Sequence, residues 1–392
     1  MKLTFISNFF NHHQKPLSDY LYSKLGDNYT FISTIPMPEA FTNSGYEDFS
    51  KISYHLKSFE NQEELQKTQN IIENSDAVII GAAHQKFVQN RIENNKLTFW
   101  YSERIFKKGP LEMFNPRRIN QIVVKHSQNR NKNVFLLSAS AFTSNDLSWY
   151  LAYPKKRYKW GYFTKVQEVD VNQKLQNIRN TKIKFLVVSR LIDWKHPELA
   201  LNLAAKLKDL GHHNFEIDIV GSGPMDDELK SMSLKYDLAS YVTFRGNIPN
   251  EEVLQLMSKT HVFLFLSDRN EGWGAVLNEA MANGCAVICS SMVGAAPYLV
   301  KPNKNGVIFK SKSVADLTTK TLSLLNNEAL REKLSLAAYN TMKKTWSPKN
   351  AGDNLLKLID QKINGENNLN RIEEGPCSKA FLTYKNWYKK EQ

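Results

Sequence analysis

Short apolar runs recur along this chain, each followed by a polar or glycine-rich turn and then a helix-like pattern. Residues 3–7 form the first run, and 76–81, 97–101 and 134–137 repeat it. A second series passes through 183–189, 215–220, 241–244, 262–266 and 286–289. Runs that are apolar at successive positions bury both faces of a strand, and strands that alternate with helices build parallel sheets. The chain therefore reads as α/β throughout. A helix over 17–25 follows a first loop rich in Asn and His, and Trp346-Ser347-Pro348 opens a last helix running to about residue 363. Between the two series lies Tyr153-Pro154-Lys155-Lys156-Arg157-Tyr158-Lys159-Trp160-Gly161-Tyr162-Phe163, which is basic, aromatic and without regular periodicity. A chain of 392 residues has room for two domains with separate cores. The boundary falls shortly after that segment, giving domains at 1–168 and 169–363. A C-terminal segment, 364–392, begins where Asn364-Gly365-Glu366-Asn367-Asn368 breaks the last helix.

Charge narrows the partners. The formal net charge of +13 favours an anionic surface or an anionic substrate. No helix-turn-helix, zinc-finger or RNP-type pattern accompanies it, so a membrane surface is expected rather than nucleic acid. No stretch has the length of a transmembrane helix. Met1-Lys2-Leu3-Thr4-Phe5-Ile6-Ser7-Asn8 reads as a buried strand and not as a signal peptide. The expected location is the cytoplasm, peripheral to the inner face of the plasma membrane. Cys285, Cys289 and Cys377 lack the spacing of a zinc site and are expected as small core residues, with no disulfide and no structural metal.

The densest functional signal is Glu271-Gly272-Trp273-Gly274-Ala275-Val276-Leu277-Asn278-Glu279. It reads as a loop entering a helix, followed by Gly284 and an apolar strand. Glycine lets backbone approach a ligand closely, and the first amides of the helix offer unpaired N–H groups to an anion. Glu271 lies in the loop, and Glu279 lies two turns into the helix, looking back at the same crevice. The pattern suits a nucleotide-sugar diphosphate, with one Glu accepting from sugar hydroxyls and the other from ribose hydroxyls. Arg190 and Lys195 stand just beyond the strand at 183–189, where ligands of open parallel sheets bind. A fork-shaped guanidinium and a mobile ammonium there suit a pyrophosphate. Gly221-Ser222-Gly223-Pro224 reads equally as a phosphate loop or as a tight turn. Arg245 has three open fates: the base, a phosphate or solvent. Ser267-Asp268-Arg269-Asn270 feeds the same loop and is placed for a sugar contact. Lys301-Pro302-Asn303-Lys304-Asn305-Gly306 is given a structural role only.

The Glu-x7-Glu segment resembles that of the family-four retaining glycosyltransferases (glycosyl transferases group 1) of bacterial envelope and capsule polysaccharide synthesis, which have the GT-B fold. The likeness covers roughly residues 183–350. It implies two Rossmann-like domains whose parallel sheets face an interdomain cleft. It implies that Arg190 and Lys195 hold the diphosphate and that Glu271 orients the donor sugar as the third catalytic residue. The donor site would include Glu279, Gly221, Gly223, Arg245, Ile248, Gly272, Trp273 and Gly274, with Ile248 at the base. The implied reaction is metal-independent transfer, with retention, from a UDP- or GDP-sugar to a hydroxyl of a glycan or lipid-linked glycan. No cofactor is implied. Metal independence also fits the lack of an Asp-x-Asp at a strand end; Asp226-Asp227 suits a helix start instead.

The first domain departs from the family pattern. Its first loop, Asn8-Phe9-Phe10-Asn11-His12-His13-Gln14-Lys15-Pro16, has no glycine, and no His follows the strand at 97–101. His13, Gln14, His84 and Glu103, with Arg104 beside it, are the acceptor-side candidates. Two stretches could meet a membrane. One runs from Arg104 through Lys107, Lys108, Arg117, Arg118, Lys125, Arg130 and Lys132, with Ile105, Phe106, Met113 and Phe114 interleaved. The other is 379–390, where Phe381, Tyr384 and Tyr388 share a helical face; that face fits a lipid interface and a seat on the first domain equally well. Two alternatives to the transferase stay open: a non-catalytic sugar-nucleotide-binding scaffold at the membrane, and a glycoside phosphorylase.

Overall fold

A computed structural model describes residues 1–38, 49, 51–365, 372–384 and 386–389. Glu366, Asn367 and Asn368 of the helix break, and Lys385 and Lys390 of the tail, lie outside the described residues. The chain divides into two compact units. Unit one comprises Met1–Lys165 and Thr345–Thr383, and unit two comprises Val166–Lys344 and Tyr384–Gln392.

Unit one is built on a parallel sheet. Its strands are β1 (Leu3–Ser7), β2 (Tyr29–Ser33), β3 (His55–Lys57), β4 (Ala77–Ile80), β5 (Thr98–Ser102), β6 (Val134–Ser138) and β7 (Arg157–Lys159). They lie side by side in the order β3-β2-β1-β4-β5-β6-β7. Leu3–Ser7, Ala77–Ile80 and Val134–Ser138 are buried at every position, as strands covered on both faces must be. One face packs Ile6, Ile32, Val78, Ile80, Trp100 and Leu136 into a continuous core. Strand β7 falls inside the segment that the sequence leaves without periodicity; three residues are too few to show one.

The last helix, Pro348–Ile363, is capped by the Ser347 hydroxyl, which accepts from the Asn350 amide. The sequence keeps this helix with the second domain, but its contacts put it in unit one. Gly352 leaves room for the Tyr20 ring, and the Tyr20 hydroxyl donates to Asp353. Residues 377–380 then run antiparallel along β7. The Cys377 amide donates to the Lys159 carbonyl (2.8 Å), Lys159 to Ser378 (2.8 Å) and Ala380 to Arg157 (3.1 Å). The tail thus covers a sheet edge that would otherwise be open. This corrects the helical face expected for the tail. Residues 379–384 are not helical and are held at Thr383 by paired bonds with Asn145, and Tyr388 is buried in a short turn, Trp387–Lys389.

Unit two holds β8 (Ile183–Val188), β9 (Phe215–Val220), β10 (Val242–Gly246), β11 (Val262–Phe265), β12 (Ala286–Ser290) and β13 (Val307–Phe309). All pair in parallel, in the order β10-β9-β8-β11-β12-β13. Helix Glu198–Asp209 presents Leu199, Leu203 and Leu207 to this sheet, packing with Phe185, Ile217 and Leu264. Cys285 and Cys289 are buried free thiols, as is Cys377 in unit one. Lys174 crosses under helix Ala275–Ala282 and donates its ammonium to the carbonyls of Met257, Asn283 and Gly284, fixing the end of that helix. Among the described residues, no helix is long and apolar enough to cross a membrane.

Each sheet has one point where successive connections leave in opposite directions. It lies between β1 and β4 in unit one and between β8 and β11 in unit two. Loops leaving the carboxyl ends of the two strands diverge there and leave a crevice, the usual ligand site of such sheets.

Candidate active site

At the switch point of unit two, the loop after β8 meets the loop after β11. The first makes a short turn, Asp193–Lys195, and the second runs through Ser267–Gly274. The Asp268 amide donates to the Trp194 carbonyl (3.0 Å), and the Glu271 amide donates to the Asp268 carbonyl (3.1 Å). These bonds set the Lys195 ammonium against the Glu271 carboxylate as an ion pair. Their side chains are only 13% and 11% exposed. Lys195 also sits 4.5 Å from the centre of the Trp194 ring, a cation–π contact. Arg190 lies on the same loop with its side chain exposed.

A second charged group lies behind this pair, and no local sequence pattern announces it. His196 takes a left-handed backbone (φ 52°) and is buried. Its Nδ1 bonds the Glu198 carboxylate (2.8 Å) and its Nε2 approaches Asp268 (3.4 Å). Asp268 also accepts from the backbone and side-chain amides of Asn270 (2.9 Å each) and pairs with Lys312 (2.9 Å). The Glu198 hydrogen bond lifts the His196 imidazole above its ordinary value despite burial. Burial pushes the Asp268 carboxyl up, but the Asn270 amides and the Lys312 ammonium outweigh it and hold the group below the usual range. Asp268, expected to reach a sugar, therefore ties the two loops together.

Helix Ala275–Ala282 begins at this crevice, and its first amides have no intrahelical acceptor. Gly274 enters it at φ 94°, a conformation that L side chains rarely adopt, and a Cβ there would overlap the Phe265 ring. Trp273 turns inward. It is 1% exposed, and its indole Nε1 donates to Asn278 Oδ1 (3.0 Å). A ligand contact by Trp273 would thus fall to its backbone, and the ring's part is to pin the loop to the helix. Gly272 is buried beside it. Glu279 is half-buried. Burial pushes its carboxyl up to about 7.

The glycines after β9 have a structural cause. A Cβ on Gly221 would overlap the Ser189 carbonyl oxygen, and one on Gly223 would overlap that of Leu191. Close approach of the β8 and β9 loops therefore requires both, which is the tight-turn alternative of the sequence. The Gly223 amide donates to Asp226 (2.7 Å) and the Gly221 amide to Gly246 (2.8 Å). Arg245 is exposed and pairs across β9 and β10 with Asp218 (2.8 Å). Ile248 is half-buried just beyond β10.

In unit one the acceptor-side candidates follow three neighbouring strands, His13 and Gln14 after β1, His84 after β4 and Glu103 after β5, mostly with local partners. Gln14 is buried and its Oε1 accepts from the Asn11 amide (3.1 Å), closing the first loop. His84 is exposed and caps a turn by accepting from the Lys86 amide (3.1 Å). Glu103 accepts from the Tyr162 hydroxyl (2.8 Å) and pairs with Lys107 (2.8 Å). His13 lies edge-on to Tyr162 at 5.8 Å. Burial, aided by neighbouring His12, lowers the His13 imidazole to about 3, so it is neutral at pH 7.

Comparison with known proteins covers the same ground. Residues 169–341 match the family model of Glycosyl transferases group 1. Over 201 residues the chain is 25% identical to an uncharacterized glycosyltransferase of Methanocaldococcus jannaschii, covering 51% of this chain and 50% of the relative. Over 195 residues it is 28% identical to the amylovoran biosynthesis glycosyltransferase AmsK of Erwinia amylovora, covering 48% and 47%. The matches span about half the length of these relatives. Among solved structures, Anabaena Alr3699/HepE in complex with UDP superposes with a TM-score of 0.68 at 14% identity, over 92% of this chain and 100% of that one. Sucrose-phosphate synthase from Thermosynechococcus elongatus gives 0.69 at 15% identity, over 93% and 100%. Residues 169–341 are thus a Glycosyl transferases group 1 domain, carried by a chain with the GT-B fold.

Proposed function

We propose that this protein is a retaining, metal-independent hexosyltransferase that moves a sugar from a UDP- or GDP-sugar to a hydroxyl of a lipid-linked glycan in surface polysaccharide synthesis. The observation that carries the reading is the buried Lys195–Glu271 pair at the β8/β11 switch point. A cation and a sugar-orienting carboxylate meet there beside the start of helix Ala275–Ala282. When the glycosidic bond to the diphosphate breaks, negative charge grows on the leaving phosphate. Lys195, Arg190 and the first helix amides are positive groups fixed in advance near that charge, and such preorganisation is the largest lever on a step of this kind. They supply the charge compensation that a divalent ion supplies elsewhere.

Lys195 has two successive partners in this scheme. In the free site it neutralises Glu271. As the diphosphate enters, Lys195 turns toward it, and Glu271 is released to accept from hydroxyls of the donor sugar. Glu279 accepts from the ribose hydroxyls. Two comparisons support the substrate classes. HepE, which shares the fold, was solved with UDP and with UDP-glucose. AmsK is an amylovoran biosynthesis enzyme, and WcaL of Escherichia coli is a putative colanic acid biosynthesis glycosyltransferase.

The test is turnover of UDP-, GDP-, ADP- and CMP-sugars, with and without EDTA, followed by NMR of the anomeric proton in the product. EDTA-insensitive consumption of one donor with retained configuration is expected. Inversion, or full loss of turnover in EDTA, overturns the mechanism. Turnover that requires inorganic phosphate points instead to a phosphorylase. Binding of a nucleotide sugar without turnover in the presence of membranes points to a scaffold.

A further inference from the structure

We infer that unit one carries a docking surface for an anionic lipid bilayer, made by the turn Pro110–Phe114 and the loop 149–151. Four large apolar side chains project from it: Leu111 is 79% exposed, Phe114 69%, Trp149 70% and Leu151 66%. Single exposed apolar residues are ordinary, but a group of this size marks an interaction site.

The group is built, not scattered. The Tyr150 hydroxyl donates to the Met113 carbonyl, which locks the turn onto the loop between Trp149 and Leu151. Ser127 donates its hydroxyl to the Tyr150 carbonyl (2.7 Å). Asp146 accepts from the amides of Ile105 and Phe106 (2.8 and 3.1 Å), anchoring the chain that leads into the turn. The apolar tips are therefore held outward by a polar frame beneath them.

Charge names the partner. Residues 104–132 contain eight Lys and Arg and one carboxylate, Glu112. Lys108, Arg117 and Arg118 are exposed beside the apolar tips. Glu112 bonds the Lys108 amide (2.9 Å) and approaches Arg118 (3.7 Å), so the one acidic group is already engaged by the basic rim. Apolar tips within a cationic rim fit the interface of a bilayer with anionic headgroups. The structure also trims the sequence expectation. Arg104 is buried with its guanidinium over Phe142 (4.2 Å), Phe106 is buried, and Lys125 lies over Trp100 (4.2 Å). These three belong to the frame and not to the contact.

The surface is independent of the transferase reading, since a non-catalytic scaffold would bind lipid in the same way. The test is co-sedimentation of the full chain with phosphatidylcholine vesicles and with vesicles containing phosphatidylglycerol. Binding to the anionic vesicles alone is expected, at least tenfold weaker for Leu111→Ser/Phe114→Ser and for Arg117→Glu/Arg118→Glu. Hydrolysis of a soluble donor should be unchanged in both variants, which separates a failed surface from a failed site. Equal sedimentation of wild type and variants overturns the inference. So does loss of a concentration-dependent dimer in the apolar variant without any vesicle binding, which would make the face a contact between copies.

Discussion

The affinity for a nucleotide sugar should rise about tenfold between pH 6 and pH 8 because of Glu279. Its carboxyl is pushed up to about 7 by burial, so it is mostly neutral at pH 6 and mostly ionised at pH 8. Only the ionised form makes charge-assisted bonds to both ribose hydroxyls. A ligand that binds the carboxylate must first displace the proton, and the work of doing so at pH 6 is about 1.4 kcal/mol more than at pH 8. At pH 7 about half a proton should leave on binding. A nucleotide sugar is the right probe because its diphosphate has no ionisation in this window. Isothermal titration in buffers of different protonation enthalpy reads both the affinity and the proton count. His196 is also raised and titrates as the pH climbs, so the Glu279→Gln profile is the baseline to subtract. The folded-state sign agrees. A raised carboxyl contributes stability that is present at low pH and lost as pH rises through 7. Glu279→Gln should therefore gain more thermal stability over wild type at pH 8 than at pH 5. A flat wild-type affinity profile, or one that Glu279→Gln reproduces, would refute the placement of this carboxylate at the ribose.

Lys195→Ala should lower turnover at saturating donor by roughly a hundredfold or more, the scale of removing one preorganised positive group, and wild-type turnover would sink the site assignment. Gly274→Ala should destabilise unit two by about 2–4 kcal/mol in urea unfolding, combining the left-handed backbone penalty with overlap on Phe265; a change below half a kcal/mol would mean the loop yields freely. At His196 the order of two small substitutions is diagnostic. His196→Gly should be about 1 kcal/mol more stable than His196→Ala, because only glycine takes φ 52° without cost. The reverse order in thermal melts would show that the backbone relaxes once the imidazole is gone.

Much of the fold is legible in the sequence where a strand longer than three residues carries three or more apolar residues in an unbroken or alternating row. Leu3–Ser7 and Phe215–Val220 lie where the apolar runs put them. What escapes is short or chemically mixed. His55–Lys57, Arg157–Lys159 and Val307–Phe309 have three residues each, and two of them carry charge or polarity at both ends. Such strands owe their pairing to the neighbour already in place, not to a period of their own. The position of the last helix escapes for a different reason. Its apolar stripe declares that it packs, and only the match of Gly352 to the Tyr20 ring declares on what.

The site divides along a similar line. Lys195 and Glu271 are legible because each sits just past an apolar strand, and the topology then brings the two strand ends together. The glycines are ambiguous in the sequence. Gly221 and Gly223 are required by the Ser189 and Leu191 carbonyls, whatever a phosphate asks of them besides. A backbone that must pass close to another backbone makes the same demand as one that must pass close to a ligand. The two causes still converge, since the loop those glycines admit is the one that carries Arg190. The His196–Asp268–Lys312 group is invisible in the sequence because its members stand 72 and 44 positions apart, and a buried histidine in a left-handed turn looks there like any other. Through Asp268 and His196 it ties together the two loops that carry the Lys195–Glu271 pair. In the proposed scheme Lys195 leaves Glu271 when a diphosphate enters, and a side chain can change partners cleanly only if the backbone beneath it stays where it is.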